Sequence, residues 1–454
     1  MVKMKKLEPF CPAAELFALF YKEEDAVFLD SSLKNEKGRF SIIGRKPYLK
    51  LVNGDTFTAN GQIMEESFES YVKRYLKAHR EENHTGLPIL SGAVGYFSYE
   101  YGRKKEKVEA KDKEELAIPD CILNFYDEFI VEDIHKEEVW LICNGNLEDA
   151  GRQLFKLESD IRTGISKGNL RIFTPEPVQA EIKAQVSPNF GKEEYKKAID
   201  RMIRYIIEGD IYVANLTQHL RIKSPKAPYA VFEKLRKTNP SPFGGYFNYG
   251  DFQIISASPE RFLRMEQGWV ETRPIKGTRK RGSTPNEDLL LKQELAESEK
   301  DKSELLMIVD LERNDLNRVC EPGSVRVTEL FTVETYATVF HLVSNIVGKL
   351  RDGLTVMDLM EAAFPGGSIT GAPKLRAMEI IDELEHGRRN LYTGSLGYLT
   401  LDGNCDFNIV IRTLVYKEGT WFLGVGGGIT YESDLEFEYE ETCQKAYALL
   451  EALK

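Results

Sequence analysis

The chain has 454 residues, 42% of them apolar and 11% aromatic, enough to bury a large core across two or three domain equivalents. Its 61 Lys plus Arg against 72 Asp plus Glu leave a net charge of −11, which repels a phosphate backbone, so no nucleic-acid partner is expected. The six cysteines, Cys11, Cys121, Cys143, Cys320, Cys405 and Cys443, contain no C-x-x-C pair, which speaks against zinc and disulfide cycling and fits a reducing cytoplasm. Near the N-terminus Glu8, Pro9, Pro12 and Glu15 interrupt any apolar run, and no longer one follows, so neither export nor membrane insertion is expected.

In chain order, short β-rich runs at 26–29, 92–99, 121–125 and 139–143 alternate with turn residues and predict an antiparallel sheet with a few helices over 1–166. Residues 167–190 hold Pro175, Pro177 and Pro188 without clear periodicity and read as a junction. From 191 to 454, helical patterns at 192–208, 287–307, 356–363, 374–385 and 438–453 alternate with strands near 253–256, 394–400, 408–416 and 421–425. The mixture predicts an α+β fold.

Most residues with chemistry to offer lie in this second region. Glu260, in Ser258-Pro259-Glu260-Arg261-Phe262, and Lys276, in Arg273-Pro274-Ile275-Lys276-Gly277-Thr278, can meet at one pocket through a strand, turn and strand. The two serve either as an acid and a nucleophile or as a structural ion pair. Asp301 and Glu304 share a helix face, as do Glu438 and Glu441, and such pairs from two helices either hold Mg²⁺ or cover an exposed acidic surface. The run from Phe364 to Lys374 is not a phosphate loop, because Ala372 and Pro373 stand between Gly371 and Lys374. Its small residues, Ser368 among them, leave backbone N–H groups at a helix start near Pro373, for a carboxylate or for a tight turn. Gly426, Gly427 and Gly428 end an apolar strand, Arg412 sits on the strand before it, and His341 falls in an apolar, helix-like stretch.

The ordered blocks 258–262, 273–279, 305–315, 364–385, 394–398, 411–413, 426–429 and 438–442 together resemble the chorismate-utilising enzymes. Lys276 places the resemblance in the aminodeoxychorismate synthase component I subgroup, because the similar anthranilate synthases carry alanine in that motif. The resemblance implies the chorismate-binding enzyme fold, a large β-sandwich of antiparallel sheets flanked by helices. It implies that Lys276 attacks C2 of chorismate while Glu260 protonates the departing C4 hydroxyl, after which ammonia attacks C4 and expels the lysine. It makes Glu304 and Glu441 ligands of Mg²⁺, with Asp301 and Glu438 nearby. His341, Ser368, Tyr392, Arg412, Gly427, Gly428 and Lys445 match substrate-binding positions.

In the N-terminal half, Ser31, Gly38, Arg39 and Phe40, joined by Pro242, Phe243 and Gly244, match a pocket that holds tryptophan in relatives. Asp30 stands where tryptophan-regulated members carry glutamate, so feedback inhibition is not expected and a structural tryptophan or an empty pocket remains. None of the six cysteines lies in G-x-C-x-G, so ammonia is expected from a separate glutamine amidotransferase subunit in a heterodimer. The alternatives are anthranilate synthase component I, an isochorismate or salicylate synthase, and a silent subunit that only docks an amidotransferase. Lys276 argues against the first two, and the presence of Glu260, Lys276, Glu304 and Glu441 against the third.

Overall fold

The strand Cys121–Asp133 is buried along its whole length. Cys121, Leu123 and Phe125 enter one apolar cluster, while Ile122, Tyr126, Phe129 and Val131 enter another. Both faces are therefore covered, so the run does not alternate, and Asn124, Asp127, Glu128, Glu132 and Asp133 are buried along with its apolar residues. The second cluster also takes Val94, Tyr96, Phe247, Ile254 and Val415, from strands of both regions, and fills the space between layers of sheet. These features come from a computed structural model describing residues 2–34, 37–113, 115–168, 170, 184–336 and 339–454.

The 22 strands among the described residues form one hydrogen-bonded network, with antiparallel pairing and helices packed outside it, in agreement with the α+β expectation. The network threads both sequence regions. Val27–Asp30 pairs with Phe243–Asn248, and Gly92–Phe97 pairs with Ser395–Thr400. Within the stretch read as a junction, 171–183 lies outside the described residues, whereas Gln185–Pro188 forms a strand on Val213–Lys223. Four residues ending in proline are too few to show a period, so the partner strand decides. No helix among the described residues is long and apolar enough to cross a membrane.

The segment read as one helix over 287–307 is two, Pro285–Glu297 and Glu299–Asn317. Ser298 divides them, because its side chain accepts from Asp301 N and caps the second helix, where Glu299 and Asp301 also complement the dipole. Leu305, Ile308, Val309, Glu312, Asp315 and Leu316 are its buried residues, so the core-facing stripe turns acidic halfway along. His341 lies not in a helix but in the strand Val339–Lys349. The run is apolar on both faces and rich in β-branched residues, and periodicity alone cannot distinguish such a strand from a buried helix.

Arg412 is likewise off the expected strand. Residues 408–416 separate into Cys405–Asn408 and Thr413–Lys417, with Arg412 between them at φ 50°. Tertiary bonds impose the break: Ile409 N donates to Glu260 O and Val410 N to Gly394 O, which takes the chain out of the ladder.

Three pieces of this scaffold frame a cleft. Val213–Lys223 pairs with the glycine-bearing strand Thr420–Ile429, and the C-terminal helix Leu435–Ala452 packs on the latter. Ile275–Lys280 pairs with Val339–Lys349 under the helix Glu299–Asn317. The short turn Gly367–Ile369 and the two-residue strand Gly371–Ala372 close the third side before the helix Lys374–Leu384.

Candidate active site

The strand Ile275–Lys280 is bulged between Lys276 and Thr278. Gly277, at φ 70°, makes the bulge, and a Cβ there would stand 2.8 Å from Asp301 Cγ, so glycine also lets the acidic helix approach. The bulge aims Lys276 at the glycine strand, where a Cβ on Gly428 would lie 3.2 Å from Lys276 Nζ. Lys276 makes no short ion pair or hydrogen bond among the described residues, although its charge reaches Glu260 and Glu304.

Glu260 is buried beside it, and Ser368 Oγ donates to its Oε1 at 3.0 Å. Burial raises the carboxyl above its usual range, opposed by Lys276 and by the Ser368 hydrogen bond. A raised carboxyl pKa favours the protonated form that a general acid needs. Arg412 sits deep in the cleft but open to its solvent; burial lowers its pKa and the nearby Glu260 charge opposes that. His341 Nδ1 meets Thr278 Oγ1 at 2.9 Å, and burial with the Arg412 charge pulls the imidazole to about 4. It is neutral at pH 7, suited to hydrogen bonding but not to carrying charge.

The four acidic candidates gather from two helices. Glu304 is raised by burial and by the charges of Asp301 and Glu441, and Glu438 by burial and Glu441. Like charges close enough to disturb one another are what a divalent cation neutralises. Gly427 makes room for them, since a Cβ there would stand 2.8 Å from Glu441 Oε2 and 3.3 Å from Glu438 Oε2. Among the described residues no three side chains form a ready metal cage. Asp301 accepts from Arg279 at 3.2 Å and Glu438 from Ser433 at 2.7 Å, while Glu441 pairs with Lys445 at 3.1 Å. A site with one or two protein carboxylates completed by substrate and water suits Mg²⁺, and Glu304 with Glu441 fit it.

Lys445 Nζ also donates to Gly426 O at 2.8 Å, which fixes it at the cleft wall. Tyr392 faces away in part: its ring covers Gly424, where a Cβ would come within 2.1 Å of it, and lines a small cavity of about 40 Å³ with His219. Ser31, Arg39, Phe40, Pro242, Phe243 and Gly244 line a separate cavity of about 560 Å³, whereas Gly38 is buried outside its lining. Ser31 Oγ is anchored there by Phe40 O at 2.8 Å and Pro242 O at 3.0 Å.

Behind Glu260 lie groups that the sequence reading passed over. Glu312 is buried, burial with the Glu260 and Asp315 charges pushes it up to about 8, and its Oε2 lies 2.9 Å from Thr272 Oγ1. Thr272 also donates to Phe262 O at 2.8 Å, so its one hydroxyl proton is used and Glu312 supplies the other as an acid O–H. Asp315 pairs with Lys374 at 2.6 Å, and Glu385 with Arg389 at 2.6 Å, both buried. The available sequence signal was two acids on the inward stripe of a helix.

The cleft of raised-pKa acids around a lysine is the kind of site that an enzyme uses for acid and nucleophilic chemistry. Residues 24–451 match the model of the chorismate binding enzyme family, and the chain belongs to that family. It is 38% identical to aminodeoxychorismate synthase component 1 of Bacillus subtilis (strain 168), over 92% of this chain and 90% of that protein. It is 36% identical to anthranilate synthase component 1 of Acetivibrio thermocellus, over 97% and 92% of the two chains. The crystal structure of anthranilate synthase component I from Streptococcus pneumoniae TIGR4, 31% identical, superposes with a TM-score of 0.80 over 92% of this chain and 93% of that one.

Proposed function

We propose that this enzyme aminates chorismate at C4, giving 4-amino-4-deoxychorismate for 4-aminobenzoate and folate synthesis, with ammonia delivered by a separate glutamine amidotransferase subunit. One observation carries the reading: Lys276, without a short ion pair or hydrogen bond among the described residues, reaches Gly428 beside a buried Glu260 whose pKa is raised. Identity alone does not separate the two synthase activities, since relatives of both names lie at 38% and 36%. Anthranilate synthase, the second reading, leaves this lysine without a task.

In the proposed chemistry Lys276 Nζ bonds to C2 of the ring, both ring double bonds shift, and the C4 hydroxyl leaves as water with the proton of Glu260. Ammonia then bonds to C4 and the C2–Nζ bond breaks. Ser368 holds the Glu260 carboxyl in place through its 3.0 Å hydrogen bond, and Arg412 offers a guanidinium to a substrate carboxylate. Mg²⁺, held by Glu304 and Glu441, would supply charge neutralisation for the ring carboxylate. Burial pushes Cys320 up to about 11 and Cys143 to about 12, as expected of structural thiols, which fits glutamine hydrolysis on a partner chain. The N-terminal cavity, with Arg261 beside the Phe243 ring, suits an aromatic amino acid such as tryptophan as a fixed occupant.

The test is product identification with chorismate, ammonium and Mg²⁺. A C4-aminated product, lost in excess chelator, is expected; anthranilate plus pyruvate would overturn the reading.

A further inference from the structure

Val213–Lys223 carries a row of polar side chains that the chemistry above leaves without a role. Asn215 Oδ1, Thr217 Oγ1 and His219 Nε2 are buried atoms without a hydrogen-bond partner among the described residues. The three alternate along one strand and so share a face. Each lies opposite a glycine: Asn215 opposite Gly428, Thr217 opposite Gly426 and His219 opposite Gly424. Buried polar atoms in native proteins are nearly always paired, and three orphans on one face call for a small polar ligand that is not part of the chain. His219 is neutral, because burial and the Arg389 charge pull it down to about 3, so the row offers hydrogen bonds without charge.

Asn215 is the member beside Lys276. Residues directly opposite in an antiparallel pair point to the same side with Cβ atoms about 5 Å apart. Since a Cβ on Gly428 would stand 3.2 Å from Lys276 Nζ, Asn215 lies on the face of the sheet that Lys276 approaches. It makes no hydrogen bond with Lys276, so a gap remains between amide and amine. The strand behind it is held firmly: Arg389 Nη2 donates to Asn215 O at 2.6 Å, and Thr217 N donates to Glu385 Oε1 at 2.8 Å.

We propose that Asn215 holds the attacking ammonia, its Oδ1 accepting one N–H so that the nitrogen lone pair faces C4 of the lysine-bound ring. The proposal rests on the C4-amination reading above. The lone pair forms the C4–N bond, both ring double bonds shift back, and the C2–Nζ bond breaks with its electron pair returning to Lys276. One proton of the new C4 ammonium returns to the Glu260 carboxylate, which resets both groups. Ammonia suits the site because it is small and neutral, and because one of its N–H groups satisfies the acceptor that Asn215 leaves open.

Asn215→Ala and the nearly isosteric Asn215→Leu separate the two displacements. With chorismate alone, rapidly quenched protein of either variant should carry the Lys276 adduct at the parental rate, read by mass spectrometry. With ammonium added, KM for ammonium should rise about 3- to 10-fold, the range for one lost hydrogen bond, while KM for chorismate stays within twofold. Should one variant fail to fold, judged by its thermal midpoint, the other carries the measurement. An unchanged KM for ammonium, or loss of the adduct in a folded variant, would overturn the assignment. Absence of the adduct in the unsubstituted enzyme would instead overturn the covalent reading on which it rests.

Discussion

The cleft and the N-terminal cavity are built from similar residues used in opposite ways. Around the cavity every prominent charge is answered: Arg261 by Asp406 at 2.9 Å, Arg39 by Asp133 at 2.7 Å, Asp30 by Arg236 at 2.8 Å and Lys37 by Glu334 at 2.7 Å. In the cleft Lys276 makes no short ion pair among the described residues, and Glu260, Glu304 and Glu438, two of which feel its charge, have their pKa values raised by burial. Paired charges hold a shape, whereas charges left open retain the capacity to bond, protonate or bind a cation. The difference separates a wall from a reagent.

Breaking the contrast at its strongest point means Lys276→Arg. Guanidinium stays protonated and cannot attack carbon, so C4-aminated product should fall by about 10³-fold or more with the thermal midpoint unchanged. Near-parental turnover in this variant would make Lys276 a wall residue after all. Glu260→Gln keeps the Ser368 contact but has no proton to give, and kcat should fall roughly 10²-fold with chorismate binding retained in equilibrium titration.

On the cavity side the expected effect moves from rate to stability. Arg261→Ala leaves Asp406 alone and should cost about 2 kcal/mol in urea unfolding, less than a fully buried pair because Asp406 keeps some solvent. Turnover of the folded fraction should stay within twofold, and a large loss of kcat would dissolve the distinction between the two regions.

Glu312, buried between the two kinds of behaviour, is read through the pH dependence of stability. Its folded pKa of about 8 lies above the ordinary carboxyl value, so the folded state keeps a proton that the unfolded state has released. Stability from this group is therefore greatest below about pH 4 and declines as pH rises toward 8. Glu312→Gln should flatten the fall in unfolding free energy as the pH rises from 5 to 8. An unchanged slope would mean that the carboxyl is ionised in the folded protein.

The sequence revealed the elements whose local signals agree with their surroundings. The helix Lys192–Glu208 falls where the pattern placed it, with Glu193 and Glu194 in its first turn and Gly209 ending it in the left-handed region. Lys276, Glu260, Ser368, Glu304 and Glu441 were legible because a motif carries them, and the structure brings them to one cleft. Arg412 was misplaced because tertiary hydrogen bonds at Ile409 and Val410 override a run that looks like a strand. Asn215 could not be read at all: its meaning depends on which residue lies opposite, and register is a property of two strands at once. Ser298 is another signal present in the sequence and overlooked, a capping serine inside an apparently continuous helix.

The threading of both regions through one sheet has a consequence for how the chain is made. Val27–Asp30 emerges from the ribosome early, but its partner Phe243–Asn248 follows some 200 residues later. At about 5–20 residues per second that interval lasts on the order of 10–40 s. Gly92–Phe97 waits longer still for Ser395–Thr400. Throughout, the nascent chain presents strand edges that have no partner, the state most open to pairing with another copy. Yield in the cell should therefore respond to translation speed and to chaperones that shield extended segments, more than the stability of the finished enzyme would suggest.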